Sequence, residues 1–257
     1  MSHETIVYQK TGAVGTITIN RPAVHNSLNA RLATELTEIC ADVNVDEEIK
    51  VIIITGAGDK AFSVGVDLNE LPSAAGSEQE TRLLSVATPV ASLTCPAIAA
   101  INGDALGQGM ELALACDIRI AVETAQFALT HVGAGVIPWD GATQRLPRLI
   151  GRGKAIEMLL TGQYIDAKEA CRIGLVSKVT RREELIPVAT DMAQTMASKA
   201  SLALKYAKEA IHNGLDLTLD QGLHLEADLY FLLQTTEDRT EGIRAFLEKR
   251  PPQFKGK

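Results

Sequence analysis

Residues 51–55 read Val-Ile-Ile-Ile-Thr, an unbroken apolar run that Gly56 ends. A strand without polar alternation must be covered on both faces, as in a sheet packed between layers. Residues 97–102 (AIAAIN) repeat the pattern, residues 107–115 have the length and composition of a helix, and residues 118–121 (IRIA) form another strand. This recurrence predicts a repeating β/α core.

Upstream, residues 5–8 and 14–19 are β-rich, and Thr11-Gly12 between them predicts a hairpin with one buried face that ends at Pro22. Residues 28–43 place Leu32, Leu36, Ile39, Cys40 and Val43 at helical spacing, with Asn29 as the candidate N-cap. From Gly141 onward helices dominate: 141–149, 155–160, 167–172 and 184–198, with one short strand at 175–179. Beyond Ser201 the pattern predicts helices alone, over 202–212, 217–234 and 239–248. The character of the chain therefore changes near residue 198.

Three segments look unlike plain scaffold: Ser63-Val64-Gly65-Val66-Asp67-Leu68, with a glycine in a loop after an apolar strand, residues 103–109 (GDALGQG), with three glycines ahead of a helix, and residues 133–141 (GAGVIPWDG), which hold the only tryptophan beside an aspartate. Glycine lets main chain approach a ligand, and a helix start offers free N–H groups. A plain tight turn is the alternative for each.

Composition excludes several functions. The 257 residues carry 25 Lys+Arg against 32 Asp+Glu, a net charge of −7, and only 4% aromatics. A nucleic-acid binder of the basic-stripe or base-stacking kind is not expected. No apolar run reaches the roughly 18–20 residues that span a bilayer, and the first ten residues do not read as a secretory leader. Cys40, Cys95, Cys116 and Cys171 fit no zinc spacing, so no metal site is expected and reduced thiols in a cytoplasmic protein are.

Several stretches together resemble the crotonase (enoyl-CoA hydratase/isomerase) superfamily over nearly the whole chain. They are Ile19-Asn20-Arg21-Pro22 with Asn26-Ser27-Leu28-Asn29, residues 61–68 (AFSVGVDL), 96–103 (PAIAAING), 107–117 (GQGMELALACD), 143–147 (TQRLP) and 241–250 (EGIRAFLEKR). Each motif is modest; their order and spacing are specific. The resemblance implies an α/β fold, a crotonase-like spiral of ββα repeats with a C-terminal helical trimerisation region. It divides the chain into a spiral core with the acyl-CoA site (1–197) and a helical oligomerisation region (198–257), and implies a homotrimer or a homohexamer built as a dimer of trimers.

It further implies an acyl-CoA thioester substrate, with coenzyme A part of the substrate and no separate cofactor. A developing enolate oxygen would accept from the main-chain N–H groups of Val66 and Gln108. Gln108 departs from the glycine common at its position, but the donor is backbone. Two preorganised amides suit a charge that concentrates on one oxygen.

Hydratases of the family use two glutamates. The first matches Glu111, whose apolar neighbours Met110, Leu112, Ala113 and Leu114 predict a desolvated carboxylate suited to acid–base work. The second position, four residues after Phe127, holds His131. A histidine titrates nearer neutrality than a carboxylate and could carry the proton, orient a water, or do neither. Asp140 is a third candidate, with a turn residue or the N-cap of the following helix as the alternative. The reading is hydratase-like chemistry, with isomerisation, hydrolysis or decarboxylation of an unusual acyl group, or a non-catalytic relative, left open.

The resemblance places Val24 and His25 near the coenzyme A nucleotide and pantetheine. Ser63, Val64, Asp67, Leu68, Gly107 and Trp139 belong to the substrate-binding set. Phe254 and Lys255 match a tail that reaches the adenine or phosphates.

Overall fold

The computed structural model describes residues 3–67 and 84–257. The hairpin forms as expected: β1 (Ile6–Thr11) pairs antiparallel with β2 (Val14–Ile19). Parallel pairing then adds β3 (Val51–Gly56), β5 (Ala97–Ile101), β7 (Ile118–Val122) and β10 (Lys178–Thr180), giving a six-stranded sheet in the order β1-β2-β3-β5-β7-β10. Every residue of β3 and β5 is buried, as their unbroken apolar runs demand.

A second sheet is built from strands of two or three residues, in the order β4 (Ala61–Ser63), β6 (Asp104–Leu106), β8 (Gln126–Ala128), β9 (Ile165–Asp166). Three successive turns of the chain, β3-β4, β5-β6 and β7-β8, each lay one strand in each sheet, and a sharp corner joins the two. Asn102 staples adjacent corners: its Nδ2 donates to the carbonyls of Gly58 (3.0 Å) and Ala61 (3.2 Å), and its Oδ1 accepts from Gly56 N–H (2.9 Å).

Helices complete the layers. In α1 (Ala30–Val45), Asn29 caps the start by accepting from Leu32 N–H at 2.9 Å, and the buried face runs Leu32, Leu36, Ile39, Cys40, Val43. The short α2 (Ala87–Ala91) and α3 (Gln108–Ala115) pack on each other, and α3 also rests on β4 and β6. Next come α4 (Ala142–Ile150), α5 (Arg152–Thr161), α6 (Ala167–Arg172) and α7 (Leu185–Ala197), which lies across the large sheet through Leu185, Ala189 and Ala193.

The C-terminal part is α8 (Ser201–Gly214), α9 (Leu219–Gln234) and α10 (Glu237–Glu248). Asp117 anchors α8 to the spiral, with Lys208 Nζ at 2.8 Å and His212 Nε2 at 2.9 Å. Leu219, Phe231, Phe246 and Leu247 on α9 and α10 are 66–82% exposed. Among the described residues no helix is long and apolar enough to cross a membrane, and no group of three or more His, Cys, Asp or Glu side chains could hold a metal ion. The four thiols are free: Cys40 and Cys116 are buried, Cys95 is half-buried and Cys171 is exposed.

Candidate active site

The start of α3 and the segment after β4 meet at two glycines. Gly65 has φ +91° and Gly107 φ +52°, backbone shapes that suit glycine. A Cβ on Gly65 would lie 3.0 Å from Leu106 O and 3.1 Å from Gln108 N, so the two segments are in contact. Among the described residues, neither Val66 N–H nor Gln108 N–H has a protein acceptor. Gln108 opens the helix, where the first amides lack an intrahelical partner. Behind it, Gly109 touches β4: any Cβ there would lie 2.3 Å from Ser63 O.

One turn into α3, Glu111 is fully buried. Its Oε1 accepts from the main-chain N–H of Asp140 (2.9 Å) and Ala142 (3.0 Å), which fix the carboxylate. Its Oε2 is buried with no hydrogen-bond partner among the described residues, and lies 3.4 Å from His131 Nε2. His131 opens a single 3-10 turn, His131–Ala134, after β8. Its Nδ1 is likewise buried without a partner, and its Cε1 would be 3.9 Å from a Cβ on Gly107. Two amides without a protein acceptor, a half-satisfied carboxylate and an imidazole thus lie close together around Gly65 and Gly107. Buried polar atoms left without a partner are rare and point to a ligand or a reacting group.

Asp140 is also buried, and its carboxylate is heavily engaged. Oδ1 accepts from Ser85 Oγ (2.6 Å); Oδ2 accepts from Val86 N–H (2.8 Å), Ala87 N–H (2.9 Å) and Gln108 Nε2 (3.2 Å). It therefore caps α2 rather than α4, whose N-cap is Gly141. The alternative role as N-cap of the following helix is thus not the one it takes. The Gln108 side chain, 1% exposed, also donates to Leu84 O at 2.8 Å, so it folds away from the turn.

The other expected residues divide into two groups. Ser63 is buried, and its Oγ accepts from Gly65 N–H at 3.2 Å; Val64 N–H donates to His25 O at 3.3 Å, which brings the exposed Val24-His25 loop beside the site. Asp67 pairs with Arg21 (3.2 Å) and accepts from Ser27 Oγ (3.0 Å). Trp139 is 37% exposed, next to Asp140. Leu68 lies outside the described residues. Phe254 and Lys255 belong to a tail folded on α10: Asp238 accepts from Lys255 N–H (2.6 Å) and Gly256 N–H (2.9 Å), and the Phe254 ring lies against Gly242. Ser85 and the Ala142 amide were not anticipated; the Ser85–Asp140 and Ala142–Glu111 bonds join segments 55 and 31 residues apart, and nothing local signals them.

Two sheets wound from successive turns of the chain bring the glycine-shaped turns of Val66 and Gln108 together, close to the buried carboxylate of Glu111. The chain belongs to the enoyl-CoA hydratase/isomerase family, whose profile matches residues 9–257. It is 41% identical to the crotonyl-CoA hydratase of Syntrophomonas wolfei over 99% of both chains. It is also 41% identical to the (E)-benzylidenesuccinyl-CoA hydratase of Thauera aromatica over 98% of this chain and 99% of that one. The crystal structure of an enoyl-CoA hydratase from Bacillus anthracis superposes with a TM-score of 0.94 at 43% identity, over 99% of this chain and 100% of that one. These neighbours share the crotonase fold expected from the sequence.

Proposed function

We propose that the chain hydrates the double bond of an enoyl-CoA thioester, with Val66 N–H and Gln108 N–H as the oxyanion donors and Glu111 with His131 as the proton carriers. The observation that carries this reading is the Glu111 carboxylate: two main-chain amides occupy Oε1, while buried Oε2 keeps its lone pairs for the reaction and faces the imidazole.

Water adds across the conjugated bond. Its oxygen bonds to Cβ, one of its protons passes to the Glu111–His131 pair, and the π electrons move to the thioester oxygen as an enolate. The two amides stabilise that charge, and losing one such donor typically costs ~2.7–4 kcal/mol. The enolate then collapses and takes a proton from the pair at Cα, so no proton is gained or lost overall. Coenzyme A is carried by the substrate, and these steps draw on no further cofactor.

The apolar side chains bared on α9 and α10 support assembly into homotrimers or pairs of trimers. Four free cysteines support work in a reducing compartment such as the cytoplasm.

The test is turnover of crotonyl-CoA, followed by loss of the enoyl thioester absorbance and by gain of one water mass. Glu111→Gln and His131→Gln are each expected to lower kcat by roughly 10²–10⁴-fold. Full hydration by His131→Gln would overturn the pairing. A product of unchanged mass would indicate isomerisation; release of CO2 or of free coenzyme A would indicate decarboxylation or hydrolysis.

A further inference from the structure

We propose that Asp140 and Gln108 are a positioning pair that sets the residue-108 amide and the Glu111 carboxylate relative to each other, without touching substrate. The inference rests on the reading above, in which both groups serve the reaction.

Residue 140 holds the site from two directions. Its main-chain N–H donates to Glu111 Oε1, and its carbonyl accepts from Arg145 Nη1 at 2.8 Å. Its side chain takes the Gln108 amide nitrogen on the oxygen that also caps α2. Gln108 in turn owns the main-chain N–H proposed for the oxyanion. A displacement at 140 is therefore transmitted to the carboxylate through backbone and to the oxyanion turn through Gln108.

The alternative role for Asp140 is proton transfer. Four donors already occupy its carboxylate, three of them on Oδ2. A proton arriving at Oδ2 would have to displace a donor held at 3.2 Å or less. Anchoring is the role this geometry supports. Asparagine, with its oxygen in the Oδ2 place, keeps those three acceptor contacts and turns its amide toward the Ser85 hydroxyl, which can accept.

The experiment compares the full chain with Gln108→Leu, Asp140→Ala, Asp140→Asn, the Gln108→Leu/Asp140→Ala double variant and Glu111→Gln. It measures kcat and KM on crotonyl-CoA, or on the best substrate of an acyl-CoA panel. Each single loss, Gln108→Leu or Asp140→Ala, is expected to lower kcat roughly 10- to 100-fold while KM moves less than about threefold, as a misplaced donor would. The double variant should fall no more than about threefold below the worse single, because the two act as one unit. Asp140→Asn should recover most of the Asp140→Ala loss. Multiplying losses, unchanged kcat in either single variant, or an Asp140→Asn as damaged as Asp140→Ala would overturn the pair. If Asp140→Ala does not fold, Gln108→Leu and Asp140→Asn still decide: the first must lose kcat and the second must keep most of it. Full activity in Glu111→Gln would instead overturn the hydration reading itself.

Discussion

Gly109→Ala tests the oxyanion geometry through packing alone. The new methyl would lie 2.3 Å from Ser63 O and 2.7 Å from Ser63 Cβ. Ordinary contact needs roughly 3.5 Å, so α3 must retreat from β4 by about 1 Å. Ser63 lies three residues before Val66, and Gly109 directly follows Gln108. The retreat therefore widens the gap between the two amides. An N–H···O bond of about 2.9 Å stretched by that distance falls outside bonding range. The expected loss is one oxyanion donor, about 10²–10³ in kcat, together with about 1–3 kcal/mol of stability from overpacking. The assay is hydration kinetics alongside urea unfolding. Gly153→Ala in α5, where nothing lies within 4 Å of the added Cβ, is the control and should be neutral or stabilising by up to about 1 kcal/mol. A folded Gly109→Ala protein with full kcat would refute the claim that these amides grip the reacting oxygen.

Two further outcomes follow from groups away from the site. Burial alone would raise the Glu35 carboxyl, but the Thr5 hydroxyl, the main-chain N–H groups of Glu4 and Thr5, and Arg31 together lower it to about 2. A folded value below the unfolded one stabilises above the unfolded value, about 4.3, and that contribution fades as pH falls toward 2. Glu35→Gln should thus be about 1–3 kcal/mol less stable at neutral pH, with the gap closing across that window in urea melts; a pH-independent gap would contradict it. Burial pushes the thiols of Cys40 and Cys116 up to about 12 and that of Cys95 up to about 11, whereas Cys171 is exposed. An aromatic disulfide reagent should therefore modify Cys171 quickly in the native protein and the other three only on unfolding, as peptide mapping would establish.

The parts of the fold legible in the sequence are those whose signal is local. Residues 51–54 and 97–101 announce buried strands because no polar residue interrupts them, and Asn29 announces α1 because a cap needs only the next three residues. The second sheet has no such signal. Its strands of two or three residues are too short to show a period, and pairing with strands from other turns of the spiral defines them. Residues 104–106 therefore read as part of a glycine-rich turn, although they form β6. The site divides the same way. Burial of Glu111 follows from its apolar neighbours on one helix turn. The Asp140 partner of the Gln108 side chain lies 32 residues away and becomes visible only when α3 and the 140 segment are brought together.

The corners stapled by Asn102 carry a consequence for inheritance. Reacting and supporting groups sit on successive rungs of a ladder, so the smallest stretch holding the two amides, Glu111, His131 and Asp140 with its partners runs from residue 66 to residue 145. No shorter excised peptide retains a working centre. Two complementary halves, cut between rungs, would have to reassociate along both sheets before either regained any.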